Sequence, residues 1–198
     1  MMRQIFIAIL TVVVHHCSYA QLRGQILKID DIHVATVHPY FDDCFSQQEK
    51  ENWCWAACIQ MVLKYQGVRV SQSDIAKRTL GNVQNTTVNG YDIIQSINGW
   101  NIGQHQIVAG QDYVKDLHRL TNDLAYKYPV IIGMGNKAGN EGHAVVLTHL
   151  YFKTDHRGNI IPFKVICIDP AKSYNREKVY DWDDFYQQIN TIIHVYTK

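Results

Sequence analysis

Apolar positions follow a helical period in the first half of the chain and an alternating one in the second. Cys54, Cys58, Met61, Val62 and Tyr65 fall at i, i+4, i+7, i+8 and i+11, one stripe of a 3.6-residue helix. Asn52 is a suitable N-cap for that helix and Gly67 a suitable stop. Ser71-Gln72-Ser73-Asp74 reads as a capping-box-like start for a short helix to Leu80, which Gly81 terminates. Residues 82–90 are rich in Asn, Thr and Gly and predict a loop. Another short helix is predicted over Tyr91–Ile97, closed by Gly99. Asp112 to Tyr128 carries Val114, Leu117, Leu120 and Leu124 on one face and ends before Pro129, the pattern of a longer amphipathic helix. Strands follow over Val130–Met134, His143–Phe152, Ile161–Asp169 and Thr191–Thr197, with a brief helix over Asp183–Ile189. Ahead of all these, Ile26–Ile29 and His33–Val37 are candidates for extended chain. Helices before strands predict an α+β fold of two lobes, helical at the N-terminal side and antiparallel β at the C-terminal side.

Composition narrows the partners. Of the 198 residues, 46% are hydrophobic and 19% charged, which suits one globular domain. Lys+Arg number 19 against 18 Asp+Glu, so no polycationic surface for nucleic acid is expected. The first twenty residues have the form of a cleavable signal peptide: Arg3, then an apolar run from Ile5 to Val14, then Ser18-Tyr19-Ala20. The run is shorter than the about 20 residues a spanning helix needs, so no stable membrane insertion is expected. Cleavage after Ala20 would send the chain to a secreted, periplasmic or cell-surface location. Residues 21–46 then form an N-terminal arm or short activation segment, and 47–198 the main domain. Bulky His15-His16 argue against lipidation at Cys17. In an oxidising setting Cys44 with Cys58 is the expected pair, and Cys167 reads as a buried apolar group. A monomer is expected.

The chemistry starts at the helix predicted to open near Cys54. A sulfur in a first helical turn faces free backbone N–H groups and a dipole that favours an anion. Gln48, six residues upstream, lies on the approach to the same helix end and can offer a side-chain N–H. Gln47 is its competitor, one residue off on a different side. The segment Gln48-x5-Cys54-Trp55-Ala56-Ala57 resembles the active-site segment of papain-like cysteine peptidases, in particular compact bacterial and effector-type members with a Cys-Trp-Ala-Ala core. The resemblance implies Cys54 as nucleophile and Gln48 as oxyanion donor. It also implies a protein or peptide substrate and no cofactor or metal. Asn52-Trp53 stand where the plant enzymes often carry Gly and Ser. Cys54-x3-Cys58 lacks the tighter spacing and four ligands usual for structural zinc.

Two partners remain to be found. His143 opens a strand directly after a glycine-rich stretch, and Asp169 closes a later strand before Pro170. A hairpin folded about His156 sets His143 opposite Asp169, with Cβ atoms about 4.5–5.5 Å apart, and a bulge would shift that register by one. His149 shares the strand parity but lies about 20 Å along the strand. Asp169 also has a plainer reading as the opener of an Asp-Pro turn. Trp53, Trp55, Trp100 and Trp182 read as core or lobe-interface aromatics. The four residues together imply a secreted endopeptidase with a Cys54-His143-Asp169 triad and Gln48 at the oxyanion. Two other readings use the same residues: a transglutaminase-like acyl transferase, and an inactive exported binding module.

Overall fold

A computed structural model describes residues 26–37, 39–112, 115–135, 142–171 and 175–198. The signal segment, Cys17 and Val114 lie outside them. Strands β1 (Ile26–Ile29) and β2 (Ile32–Thr36) form an N-terminal hairpin, followed by a single 3-10 turn at Asp42–Cys44. Helices α1 (Cys54–Tyr65), α2 (Gln72–Leu80) and α3 (Gly90–Ile97) come next. Strands β3 (Asn101–Ile102) and β4 (His105–Asp112) precede α4 (Leu117–Ala125). Then follow β5 (Val130–Met134), β6 (His143–Thr154), β7 (Ile160–Ile168), β8 (Glu177–Asp181), α5 (Trp182–Gln188) and β9 (Ile189–Thr197).

The sheet is antiparallel, with the order β1-β2-β6-β5-β9-β4-β3 and β7 and β8 branching from β6. The twelve-residue β6 makes the branch possible. One edge of β6 pairs β5 along its first half (His143–Leu147) and β2 along its second (His149–Phe152). Its other edge pairs β7 from Val146 to Thr154. The N-terminal arm is therefore a built part of the sheet: Ala35 and Val37 are fully buried.

Helix α1 is more buried than a single apolar stripe would make it. Nine of its twelve residues are buried, because the helix lies between the sheet on one side and α2 with the 3-10 turn on the other sides. An all-round apolar surface is what such a sandwiched helix needs. Its N-cap is Trp53, not Asn52, and no side chain caps it. Asn52 instead turns outward, its backbone N–H donating to Asn85 Oδ1 and its amide to the Asn85 carbonyl. Ser71 caps α2 as expected, accepting from the Asp74 N–H, and Gly81 ends it at φ 77°. Gly67 follows α1 at φ 85°, a conformation that costs glycine little.

One helix is shorter than the sequence predicts, and three strands, β3, β4 and β8, are not predicted at all. The helix read over Asp112–Tyr128 is only Leu117–Ala125, capped by Asp116, which accepts from His118 and Arg119. Asp112 belongs to β4, whose inward residues Ile107 and Ala109 pair along β9. β4 and β8 carry too few apolar positions to announce themselves: β8 is an edge strand whose burial alternates between exposed and half-buried. The Cys44–Cys58 pair is also absent, and among the described residues Cys44, Cys54, Cys58 and Cys167 are all free thiols. Cys58 is fully buried inside α1, while Cys44 sits by Lys64 and Tyr65, about 10 Å further along that helix. Cys167, fully buried in β7, is the apolar group its setting predicted.

Candidate active site

Cys54 is the first residue of α1 and is 7% exposed. The first intrahelical bond runs from the Ala57 N–H to the Trp53 carbonyl. Helix geometry leaves the amides of Cys54, Trp55 and Ala56 without an intrahelical acceptor. The sulfur thus stands at the positive end of a helix dipole.

His143 opens β6 and Asp169 follows the last residue of β7. Imidazole Nε2 donates to Asp169 Oδ1 at 2.8 Å, which leaves Nδ1 as the ring nitrogen for other work. The contact is diagonal rather than direct. Thr154 faces Ile160 and Val146 faces Ile168, so the hairpin turns about Arg157, one residue beyond His156. Two irregularities, at Leu147/His149 and Tyr151/Phe152, shift the register and then restore it. The net displacement from the expected register is two residues, which keeps both side chains on one face. Diagonal neighbours lie about 7–8 Å apart at the backbone, within reach of a histidine.

Asp169 also performs the turn role. Its Oδ1 accepts from the Ala171 N–H at 2.9 Å, and its own N–H donates to the Arg176 carbonyl at 2.7 Å. Burial alone would raise its carboxyl; the bonds from His143 and Ala171 outweigh that and hold it below the usual carboxylate range. His143 is pushed up to about 10 by its hydrogen bond to Asp169 and then by one to Cys54, against the opposing effect of burial. The imidazolium therefore contributes stability that is complete below about 6.5, the ordinary histidine value, and is lost as pH rises through about 10. Activity that needs the protonated ring should fall on an alkaline limb near pH 10, and Asp169→Asn should move that limb down. A profile of kcat/KM against pH for both proteins measures it.

Gln48 occupies the turn before α1. Its Nε2 donates to the carbonyls of Lys50 (3.1 Å) and Glu51 (2.6 Å), and its Oε1 is buried with no hydrogen-bond partner among the described residues. Its backbone N–H donates to the Pro170 carbonyl at 2.9 Å, tying it to the residue after Asp169. Gln47 is exposed, and its backbone carbonyl accepts from Gln72 Nε2 at 2.8 Å. His149 stands elsewhere on β6, with Nδ1 against Thr148 Oγ1 at 3.0 Å and its ring stacked with Tyr151. The other thiols are chemically quiet: burial pushes Cys58 and Cys167 well up, and raises Cys44 too.

A cavity of about 500 Å³ opens beside Cys54 and His143. Ile59, Ile93, Ile131 and Ile193 give it an apolar surface, and Gln111 with Thr191 adds a polar edge, Gln111 Nε2 donating to Thr191 Oγ1 at 2.6 Å. Gly133 leaves the space that Thr191 fills: a Cβ there would meet Thr191 Cγ2 at 2.5 Å. One wall is the loop 87–89 with Gly90 at the start of α3, and two tryptophans anchor the residues just before it. Trp53 Nε1 donates to the Gln84 carbonyl at 2.6 Å and Trp55 Nε1 to the Thr86 carbonyl at 3.1 Å. The sequence marked these indoles only as core or lobe-interface aromatics. A buried Trp N–H needs an acceptor, but which loop supplies it depends on contacts about thirty residues away.

Comparisons with known proteins give the family and the fold. Residues 43–196 match the Peptidase_C39 like family. Among solved structures, the fold is similar to the peptidase domain of Streptococcus ComA, a bi-functional ABC transporter involved in a quorum sensing pathway. The TM-score is 0.53 at 16% identity, over 76% of this chain and 95% of that one. No curated protein matches the sequence. The chain belongs to the Peptidase_C39 like family and is a papain-like cysteine peptidase of α+β fold.

Proposed function

We propose that this peptidase is an exported endopeptidase that cleaves peptide bonds through Cys54, His143 and Asp169, with Gln48 completing the oxyanion site. The observation that carries the reading is the His143–Asp169 hydrogen bond through Nε2, made where the ring's other nitrogen is free to serve the sulfur at the start of α1. Asp169 holds the ring's orientation and stabilises its cationic form. The Cys54 thiolate attacks the substrate carbonyl carbon, and the carbonyl oxygen becomes an oxyanion. The Cys54 backbone N–H is one donor to that oxygen. The Gln48 carboxamide has two N–H groups. The adjacent Lys50 and Glu51 carbonyls can share one in a three-centre bond, leaving the other for the oxyanion. His143 gives its proton to the leaving amine, which departs and leaves a thioester at Cys54. The neutral ring then takes a proton from water, which attacks the thioester and releases the acid.

The apolar cavity beside Cys54 suits an apolar side chain of a protein or peptide substrate. Export rests on Arg3, the Ile5–Val14 run and Ser18-Tyr19-Ala20. The test is labelling with an epoxide inhibitor, followed by mass spectrometry of the modified peptide and assay of a mixed peptide library. The expected result is a single label on Cys54 and loss of library cleavage in proportion to it. Incorporation of a labelled amine without cleavage would instead select acyl transfer, and no label with no cleavage would reject catalysis.

A further inference from the structure

Gln72 has no role in the reaction as written, yet its carboxamide is the most connected buried polar group near the site. It is the first residue of α2 and is 1% exposed. Its Oε1 accepts from the Glu49 N–H at 3.0 Å, and its Nε2 donates to the Gln47 carbonyl at 2.8 Å. These two contacts bracket Gln48. The Gln48 N–H points the other way, to the Pro170 carbonyl at 2.9 Å. This alternation is that of an extended strand bonded on both edges. One edge is the peptide chain beside Asp169; the other is a side chain imitating a peptide. The same Nε2 also donates to Gln60 Oε1 at 3.1 Å, and Gln60 Nε2 donates to the Val70 carbonyl at 3.0 Å. Gln60 lies on α1, the helix that Cys54 opens. Gln72 therefore sits where the Gln48 segment, the nucleophile helix and the entry to α2 meet.

We propose that Gln72 is a positioning residue of the oxyanion site: its buried carboxamide fixes the Gln47–Glu49 segment against α1, and so sets the height of Gln48 relative to Cys54. The inference rests on the peptidase reading above. A buried side chain satisfied on all sides by a single catalytic segment and its neighbouring helix has little freedom to move, and that rigidity is what an oxyanion donor needs. The effect is on a charge that exists only in the transition state, so it belongs to kcat rather than to substrate affinity.

The test uses Gln72→Met, which keeps the volume and removes every bond, and Gln72→Glu, which keeps the acceptor for the Glu49 N–H and removes both donors. Each is measured in the wild-type and Gln48→Ala backgrounds. In the wild-type background Gln72→Met should lower kcat by about 10- to 100-fold, the scale of a misplaced catalytic group, with KM changed by no more than about twofold. Gln72→Glu should fall between Met and wild type. In the Gln48→Ala background, Gln72→Met should cost less than about twofold, because the donor it positions is gone. Alkylation of Cys54 by iodoacetamide develops no oxyanion and should keep its rate in all these variants. A loss of equal size in both backgrounds, or an alkylation rate that falls in parallel with kcat, would show that Gln72 merely supports the fold and overturn the inference. If Gln72→Met does not fold, Gln72→Glu in the two backgrounds decides by the same criterion. Loss on Gln48→Ala with none on either Gln72 variant defeats the inference and spares the peptidase reading. Hydrolysis that persists in Cys54→Ala defeats both.

Discussion

Cys54→Ala should abolish peptide hydrolysis, with kcat down by roughly 10⁴- to 10⁶-fold, the range seen when a nucleophile that works as a unit with its base is removed. The loss should come without unfolding. Cys54 is the first residue of α1, alanine is the best helix former, and the change removes one sulfur from a site already open to a cavity. Thermal midpoints of the two proteins should agree within a few degrees. His143→Ala should cost nearly as much, and the double variant no more than either single, because sulfur and ring act as one device. No other described thiol can substitute. Cys58 lies one helical turn along α1 at 0% exposure, and Cys167 is equally enclosed. Burial holds both thiols well above their ordinary range, so neither supplies a thiolate at neutral pH. Full turnover in Cys54→Ala would move the chemistry to groups the cavity does not present, and would withdraw the proposed mechanism. A retained fold with no activity would separate catalysis from a binding role for the same surface, since the cavity walls are intact in the variant.

What the sequence disclosed about this site depended on how locally each feature was encoded. The helix start at Cys54 and the stops at Gly67 and Gly81 are written in neighbouring residues, and all three stand in the structure. The meeting of His143 with Asp169 came from counting about a turn. It came out on the correct face because a two-residue error preserves side-chain parity, whereas an odd one would have aimed the ring away. The cap at Asn52 failed because the loop at Asn85, thirty-three residues on, competes for its groups. The helix read from Asp112 failed because a short run of half-polar residues, His105 to Asp112, becomes a strand only when β9 is there to pair with it. Gln72 gave no signal at all. A glutamine behind a Ser N-cap is ordinary, and nothing nearby in sequence says that its amide will grip a segment 23 residues upstream.

His194 is the strongest case of such silence, and replacing it should cost the protein more stability than any change at the active site. The chain has ten histidines, and none of the local patterns singles this one out. In the fold its side chain is 0% exposed and clasped between two carboxylates: Nδ1 is hydrogen-bonded with Asp123 Oδ2 at 2.5 Å and Nε2 with Asp112 Oδ2 at 3.1 Å. Tyr196 donates its hydroxyl to Asp123, and Arg119 closes the ring with a 2.6 Å bond to Asp112 Oδ1. The cluster thus joins β4, β9 and α4 at points 71 and 82 residues apart along the chain. His194→Leu keeps the bulk and deletes both ring nitrogens, leaving two mostly buried carboxylates with only Tyr196 and Arg119 to answer them. Removing one partner of such a group costs about 3–5 kcal/mol. For a chain of this size that lowers the thermal midpoint by roughly 10 °C. Asp123→Asn in the His194→Leu background should recover part of the loss, because the unanswered charge is the source of the cost. Thermal unfolding followed by circular dichroism measures both. Hydrolysis by the folded fraction at low temperature should be unchanged. Thr191 and Ile193 face the cavity beside Cys54, so the alternation of β9 turns His194 to the opposite side of the sheet. A fall in kcat that outruns the fall in folded fraction would mean that the cluster reaches the site through β9, and would break the separation between the two centres.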